Sequence, residues 1–156
     1  MHKVVNKTCV ALLMICIAFL FPGKVLGDEF WSVRSDRVNV RKGPGTNYQT
    51  IFLANNGYPI RILSLSKNWY KIREYQGETG WIHKNFIKRV RYVIVNAGTK
   101  DSRIHVRENG NTNSRIIAKA THSSVFKYIK KEKGWVNVRH DSGITGWIRA
   151  DLVWGD

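Results

Sequence analysis

A glycine-rich stretch, VNVRKGPGTNY (Val38 to Tyr48), is the first feature of this sequence whose residue types could do chemistry. The backbone N–H groups of such a loop can hold a phosphate, but the well-attested loops precede a helix and often carry a lysine followed by serine or threonine. The related stretch IHVRENGNTNS at 104–114 keeps Val-Arg and Thr-Asn and has Asn-Gly-Asn in place of Gly-Pro-Gly. Glycine and asparagine both tolerate a left-handed backbone, so we predict a turn. The side chains of interest here are then Arg41 and Tyr48.

The histidines give no sign of a catalytic or metal site. A nucleophile needs a base and an orienting group, and a hydrolytic metal usually has about three protein ligands. Four histidines follow the N-terminal segment, never at His-x-x-x-His spacing, and none recurs between the two repeats described below: His83, His105, His122 and His140. Both cysteines lie in the first 27 residues, so residues 28–156 hold no thiolate or disulfide. We therefore expect that the protein is not an enzyme and that it binds neither a metal ion nor a cofactor.

Tryptophans that recur 66 residues apart are better candidates for a binding surface. Trp69 and Trp135 begin strands of alternating polarity, in which the ring should face away from the core. Each ring could line a ligand site or cap the edge of the core. Trp81 and Trp147 follow glycine in a short central strand, and a core position is favoured for them.

Two arginine pairs recur at the same offset, Arg41/Arg107 and Arg73/Arg139. A guanidinium group pairs well with phosphate or carboxylate. The same residues are equally compatible with cross-strand charges on a solvated face.

These positions belong to an internal repeat. Residues 38–87 align with 104–153 over 50 positions without a gap, and 14 of the positions are identical. Apolar residues alternate with period two, GPG, NNG, SKN and GETG supply turns, and no amphipathic helical run occurs after residue 27. A unit of about 60 residues must close its short strands on one small core, which a barrel does while limiting open edges. The join KRVR at 88–91 is short, which favours a compact pair.

The first 27 residues predict a cleaved secretory signal peptide. MHKVVNK is positive, TCVALLMICIAFLF is an apolar run of 14 residues, and PGKVLG ends in small or modest side chains. The run falls short of the roughly 20 apolar residues that span a bilayer, so we expect cleavage after about Gly27 rather than anchoring. Residues 28–156 then carry 23 basic and 11 acidic side chains, a net charge of +12. This charge favours anionic partners, although a merely soluble, lysine-rich surface fits it equally well.

With these motifs in place, the sequence resembles the bacterial SH3-like (SH3b) domains, which are small extracytoplasmic barrels. The first copy holds NVRKGPGTNY, NNGYPIRIL and NWYKIREYQGETGWIHKNFI, and the second keeps GWVNVRHDSGITGWIRADLV. The resemblance covers residues 28–156 and implies a tandem two-barrel protein of Gram-negative bacteria. Members of this family often stand beside a cell-wall peptidase or amidase domain and are thought to bind wall or peptide. The fold itself hosts many functions.

The resemblance also bears on the ligand. In eukaryotic SH3 domains the matching tryptophan lines the ligand groove, and a later motif supplies a proline and a tyrosine to it. Here that motif reads GWIHKNFI and GWIRADLV, so His83 and Arg149 stand at the proline and Phe86 and Leu152 at the tyrosine. Recognition of polyproline is therefore not expected.

We thus expect an all-β chain with a signal peptide at 1–27 and two SH3-like barrels at 28–90 and 91–156. The leading functional expectation is a non-catalytic periplasmic module that binds cell-wall peptide or glycan, or another anionic ligand, through an aromatic and basic rim. The alternative is an interaction or scaffolding protein of the cell envelope that docks through a sheet edge or the rim without touching the wall. An anionic lipid surface is a weaker expectation, export argues against nucleic acid, and the oligomeric state stays open. The candidate binding residues are Arg41, Tyr48, Trp69, Arg73, His83, Phe86, Arg107, Trp135, Arg139 and Arg149.

Overall fold

The computed structural model describes residues 29–99 and 101–156, which form two antiparallel sheets of seven strands each. The predicted signal peptide lies outside the described residues. Within the two described ranges there is no α-helix, and a short 3-10 turn precedes the last strand of each sheet, at Lys84–Phe86 and Ala150–Leu152. The predictions of an all-β chain and of two tandem SH3-like barrels are confirmed.

The strands of the two barrels correspond one to one. In the first barrel they are β1 (Phe30–Val33), β2 (Val38–Arg41), β3 (Thr50–Ala54), β4 (Pro59–Ser66), β5 (Trp69–Arg73), β6 (Thr79–His83) and β7 (Ile87–Lys88). In the second they are β8 (Tyr92–Val95), β9 (Arg103–Arg107), β10 (Ile116–Thr121), β11 (Val125–Glu132), β12 (Trp135–Arg139), β13 (Thr145–Arg149) and β14 (Val153–Trp154). The spatial orders are β3-β2-β6-β5-β4-β1-β7 and β10-β9-β13-β12-β11-β8-β14.

Each barrel encloses its own apolar core. Alternating side chains along the strands point inward, and in the first barrel Val40, Ile60, Ile72 and Ile82 have no exposed surface. The second core is built the same way around residues that include Val106, Val136, Val138 and Ile148. Each such side chain contributes about 1.5–3 kcal/mol relative to an exposed position.

The expected core position of Trp81 and Trp147 is wrong. Both rings are half-buried, and they belong to neither core cluster. The reason is the period of the strand: Gly80 and Ile82 face inward on β6, so the residue between them must face outward. Gly80 is required there because a Cβ at this position would lie 2.5 Å from a methyl carbon of Val40.

The glycine-rich stretch is a turn, as predicted, and both copies form it with the same backbone bonds. The N–H of Lys42 donates to the carbonyl of Gln49 at 3.0 Å, and the N–H of Glu108 donates to that of Arg115 at 2.9 Å. The turn does not use the tolerance of these residues for a left-handed backbone, because neither Gly43 nor its counterpart Asn109 has a positive φ. Gly43 leaves room for the ring of Tyr48, which lies against it, so a larger residue at this position would have to displace that ring.

The two barrels touch directly, as the short join predicts. The hydroxyl groups of Tyr75 and Ser123 are hydrogen-bonded at 3.1 Å, and the ring of Phe30 meets that of Trp154 edge to face at 4.8 Å. The guanidinium group of Arg91 lies over one ring from each barrel, 5.7 Å from the centre of Phe30 and 4.9 Å from that of Tyr128. The join is therefore held by aromatic contacts on both sides.

Candidate binding grooves

The rim of the first barrel carries a groove of about 410 Å³, here called the first groove. Strands β2, β5 and β6, the 3-10 turn at Lys84–Phe86 and the loops at 35–37 and 42–49 form its walls. Its lining combines aromatic, basic and acidic side chains: Ser35, Asp36, Arg37, Val38, Asn39, Arg41, Thr46, Trp69, His83, Asn85 and Phe86. The groove could therefore hold a ligand with an apolar surface and polar or charged groups.

Three aromatic groups stand in sequence along this groove. Trp69 and His83 face each other across β5 and β6, and their rings meet edge to face with centres 5.2 Å apart. The ring of His83 also meets that of Phe86, with centres 6.2 Å apart. The backbone N–H of Asn85 donates to Nδ1 of His83 at 3.4 Å, which orients the imidazole. The tryptophan ring is half-buried and its outer surface is open to the groove.

Arg41 lies at the other wall of the first groove, where two hydrogen bonds hold it. Its Nη1 donates to the carbonyl of Tyr48 at 2.8 Å and to the hydroxyl of Thr50 at 3.3 Å. Arg107 repeats the main contact, because its Nη1 donates to the carbonyl of Ser114 at 2.6 Å. The arginine that recurs between the two copies therefore secures the long loop, and it lines the groove in both barrels.

The second barrel has a groove of about 200 Å³ in the equivalent place, here called the second groove. Every one of its lining residues lies 66 positions after a lining residue of the first groove: Arg103, Ile104, His105, Arg107, Thr112, Trp135, Arg149 and Leu152. The repeat thus preserves a site as well as a fold. The size has changed: the second groove has about half the volume of the first.

The chemistry of the second groove has changed as well. Arg149 replaces His83, and its guanidinium group forms a two-point ion pair with Asp151, at 3.0 Å from Nε to Oδ1 and 2.5 Å from Nη2 to Oδ2. The two charges are exposed to solvent, so this pair contributes little to stability. Trp135 is only 9% exposed, which leaves less of its ring for a ligand than Trp69 offers.

The structure brings together most of the predicted site residues but not all of them. Arg41, Trp69, His83 and Phe86 line the first groove, and Arg107, Trp135 and Arg149 line the second. Three predicted residues lie elsewhere, because Tyr48 rests on its own loop and Arg73 and Arg139 end β5 and β12 away from the grooves.

Four lining pairs were not among the predicted site residues: Arg37/Arg103, Val38/Ile104, Asn39/His105 and Thr46/Thr112. The threonines are identical between the copies and were among the aligned positions. The arginines stand one residue before the aligned stretch and repeat at the same offset of 66, which is the signal that would have found them.

A second cavity, of about 390 Å³, lies between the barrels. The side chain of Glu74 in its wall is 4% exposed and accepts two hydrogen bonds, from the Tyr58 hydroxyl at 3.0 Å and from the backbone N–H of Glu78 at 2.8 Å. Burial, and then the negative charge of Glu74, raise the pKa of Tyr58 far above its usual range. The Glu74 carboxylate therefore stabilises the turn between β5 and β6 and holds the Tyr58 hydroxyl in place.

No group of three or more His, Cys, Asp and Glu side chains in the described parts of the chain is arranged to hold a metal ion. Among residues 29–99 and 101–156 there is also no helix long and apolar enough to cross a membrane.

Comparison with known proteins matches each barrel to the same family model, that of the bacterial SH3 domain, at residues 36–88 and 102–153. A protein of Bacillus subtilis (strain 168), YrvJ, provisionally named an N-acetylmuramoyl-L-alanine amidase, is 28% identical over 155 residues, an alignment that covers 91% of this chain. The chain spans 30% of that relative's length. Two solved structures, NlpC2 and NlpC1 from Trichomonas vaginalis, are 15% and 13% identical, with TM-scores of 0.37 and 0.36. They match 83% of this chain and 48% and 46% of their own chains.

Proposed function

The chain belongs to the bacterial SH3 domain family, and on that premise we propose that it is a non-catalytic module that binds cell-wall peptide or glycan through the first groove. The observation that carries the proposal is the recurrence of one groove in two barrels, lined by residues at a constant offset. The aligned part of the relative from Bacillus subtilis supports the choice of ligand, because that protein's name refers to a bond in the cell wall.

The lining of the first groove suits a peptide that carries carboxylate groups. Rings of Trp69, His83 and Phe86 give an apolar surface, and guanidinium groups of Arg37 and Arg41 can pair with carboxylates. A wall peptide offers both kinds of group. The second groove is smaller and its arginine at 149 is occupied by an acidic neighbour, so we propose that it binds the same ligand more weakly.

We further propose that residues 1–27 are a signal peptide and that barrels at 28–90 and 91–156 act in the periplasm. The sequence pattern of the N-terminal segment supports export.

Sedimentation with purified peptidoglycan tests the proposal. The purified protein should pellet with the wall at low and at moderate salt, and the change Trp69→Ala should lower the bound fraction. An unchanged supernatant at both salt concentrations would exclude the wall as the ligand.

A second candidate function rests on the open edges of the two sheets. Strands β3 and β10 each end the strand order of their sheet, and each exposes an apolar side chain: Leu53 is 45% and Ile116 is 40% exposed. An extended segment of an envelope protein could add to such an edge as a further strand. Crosslinking in cells separates the two candidates, because a single discrete protein adduct would favour edge docking and wall fragments would favour the groove.

A further inference from the structure

Arg139 lies outside both grooves, in a row of side chains that crosses the outer face of the second barrel. The register places Tyr92 opposite Lys127, Lys127 opposite Arg139, and Arg139 opposite Thr145, on four neighbouring strands. The side chains of Lys127, Arg139 and Thr145 are exposed. These four residues are here called the basic row. Arg139 is four residues from Trp135 along β12, so the row lies about 13 Å from the second groove.

The first barrel carries the same kind of row, formed by Phe30, Arg61, Arg73 and Thr79. The order in both barrels is aromatic, basic, basic, threonine. The second arginine and the threonine are identical between the copies, and the preceding position keeps its charge. The row therefore contains two of the 14 positions that are identical among the 50 aligned ones.

The fold alone does not favour such a row. Like charges directly opposite each other on neighbouring strands destabilise a sheet, whereas an acidic and a basic side chain would stabilise it. In the part of the chain that the structure describes, neither Lys127 nor Arg139 forms an ion pair with an acidic side chain. A bound anion would turn the repulsion into attraction.

We propose that the basic row of the second barrel is an oxyanion site, in which Lys127 and Arg139 bind one phosphate group between them and Thr145 donates its hydroxyl. Residues directly opposite in an antiparallel pair have Cα atoms roughly 4.5–5.5 Å apart, so both cationic groups can reach the same phosphate. A guanidinium group can also donate two parallel hydrogen bonds to its oxygens. A lipid head group, a phosphate-bearing polymer and free phosphate all offer this chemistry.

Asp141 is an acidic neighbour of the row. Burial and, to a smaller extent, the charge of Asp141 raise the pKa of Tyr92, so this carboxylate acts at the aromatic end of the row. It repels a bound anion there. Removing its charge by Asp141→Asn should therefore strengthen phosphate binding, which a purely structural role of the row does not predict.

The site is tested by titrating the purified protein with sodium phosphate and following the amide signals of Arg139 and Thr145 by nuclear magnetic resonance. A titration with sodium chloride of equal ionic strength is the control. Arg139→Gln should weaken phosphate binding by about tenfold, as expected for a lost charge-assisted hydrogen bond. The matched change Lys119→Gln removes the same charge from β10, at the far end of the sheet, and should alter the Kd by less than about twofold because exposed charges are screened over that distance. Equal binding by Arg139→Gln and the wild type, or equal losses in both variants, would overturn the proposal.

Two further arms identify the phosphate source and separate this site from the groove. If the protein binds phosphatidylglycerol vesicles but not phosphatidylcholine vesicles, and Arg139→Gln weakens that binding, the phosphate belongs to a lipid head group. If the protein binds inorganic phosphate but neither kind of vesicle, the natural ligand is a free phosphate or a phosphate-bearing polymer. Binding to none of these probes contradicts the site. Trp69→Ala should leave phosphate binding unchanged, so failure of the wall-binding proposal and failure of this one are distinguishable.

Discussion

The change Trp69→Ala should abolish most of the binding to peptidoglycan while leaving the barrel folded. The ring lines the first groove and meets His83 edge to face at 5.2 Å, so its removal takes away a large apolar surface of the groove. Loss of a central aromatic anchor costs about 2 kcal/mol or more, which corresponds to a Kd about 30-fold higher. The bound fraction in a sedimentation titration with purified peptidoglycan measures this change.

Trp81→Ala is the matched control for Trp69→Ala. Trp81 is also half-buried and lies on the neighbouring strand, but it does not line the groove. We expect its removal to change the Kd by less than about twofold, since contacts outside a binding surface contribute little to affinity. Wild-type affinity of the Trp69→Ala variant, or an equal loss in both variants, would refute the assignment of the groove. Melting followed by circular dichroism confirms that each variant is folded.

Other predictions concern the stability of the two barrels. Because the pKa of Tyr58 is raised in the folded protein, the phenol loses its proton first in the unfolded chain, near pH 10. The free energy of unfolding should therefore fall as the pH rises above 10. Denaturant titrations at alkaline pH should show a smaller fall for the Tyr58→Phe variant. Gly146→Ala should lower the free energy of unfolding by about 1–3 kcal/mol, measured by urea titration, because a Cβ there would lie 2.7 Å from the carbonyl oxygen of Arg107; an unchanged midpoint would contradict this. Arg91→Ala removes cation–π contacts to both barrels and should weaken their coupling by about 1–2 kcal/mol, so calorimetry should show a broadened or split transition instead of the wild-type profile.

The repeat and its strands could be predicted from the sequence because the alternation of apolar and polar residues is a local pattern and occurs in both copies. Period-two alternation marks which residues of β5 face inward, and Ile72 is buried as that pattern requires. The same rule predicts that Trp81 faces outward, since Ile82 faces the core. The general preference of large rings for the interior led to the opposite expectation, and here the strand period overrides it.

The candidate site was only partly predictable, because a groove depends on which strands become neighbours. Trp69 and His83 are 14 residues apart in the chain, and only the pairing of β5 with β6 places them face to face. Arg73 follows Trp69 on the same strand, but four residues of extended chain carry it away from the groove. Because Trp69 and Arg73 both recur between the copies, the sequence identified both as candidates. It could not show that only Trp69 lines the groove.

The contacts between the barrels could not be predicted from the repeat, since they involve residues that differ between the copies. Tyr75 aligns with Asp141, and Ser123 aligns with Gly57, so neither partner of the hydrogen bond across the interface recurs. Such asymmetric contacts are required when two similar units pack through different faces. Comparison of the two copies identifies the residues that they share, whereas the interface between the barrels is formed by residues that differ between them.

The indole N–H signals of the six tryptophans offer the most direct test of the central claim, that the first groove binds wall peptide. A soluble wall peptide is titrated into the ¹⁵N-labelled protein, and each indole signal is assigned by substitution. We predict that the signal of Trp69 moves at the lowest peptide concentration, that the signal of Trp135 follows at higher concentration, and that those of Trp81 and Trp154 stay in place. Movement of Trp81 without Trp69, or no movement at all at saturating peptide, would contradict the account.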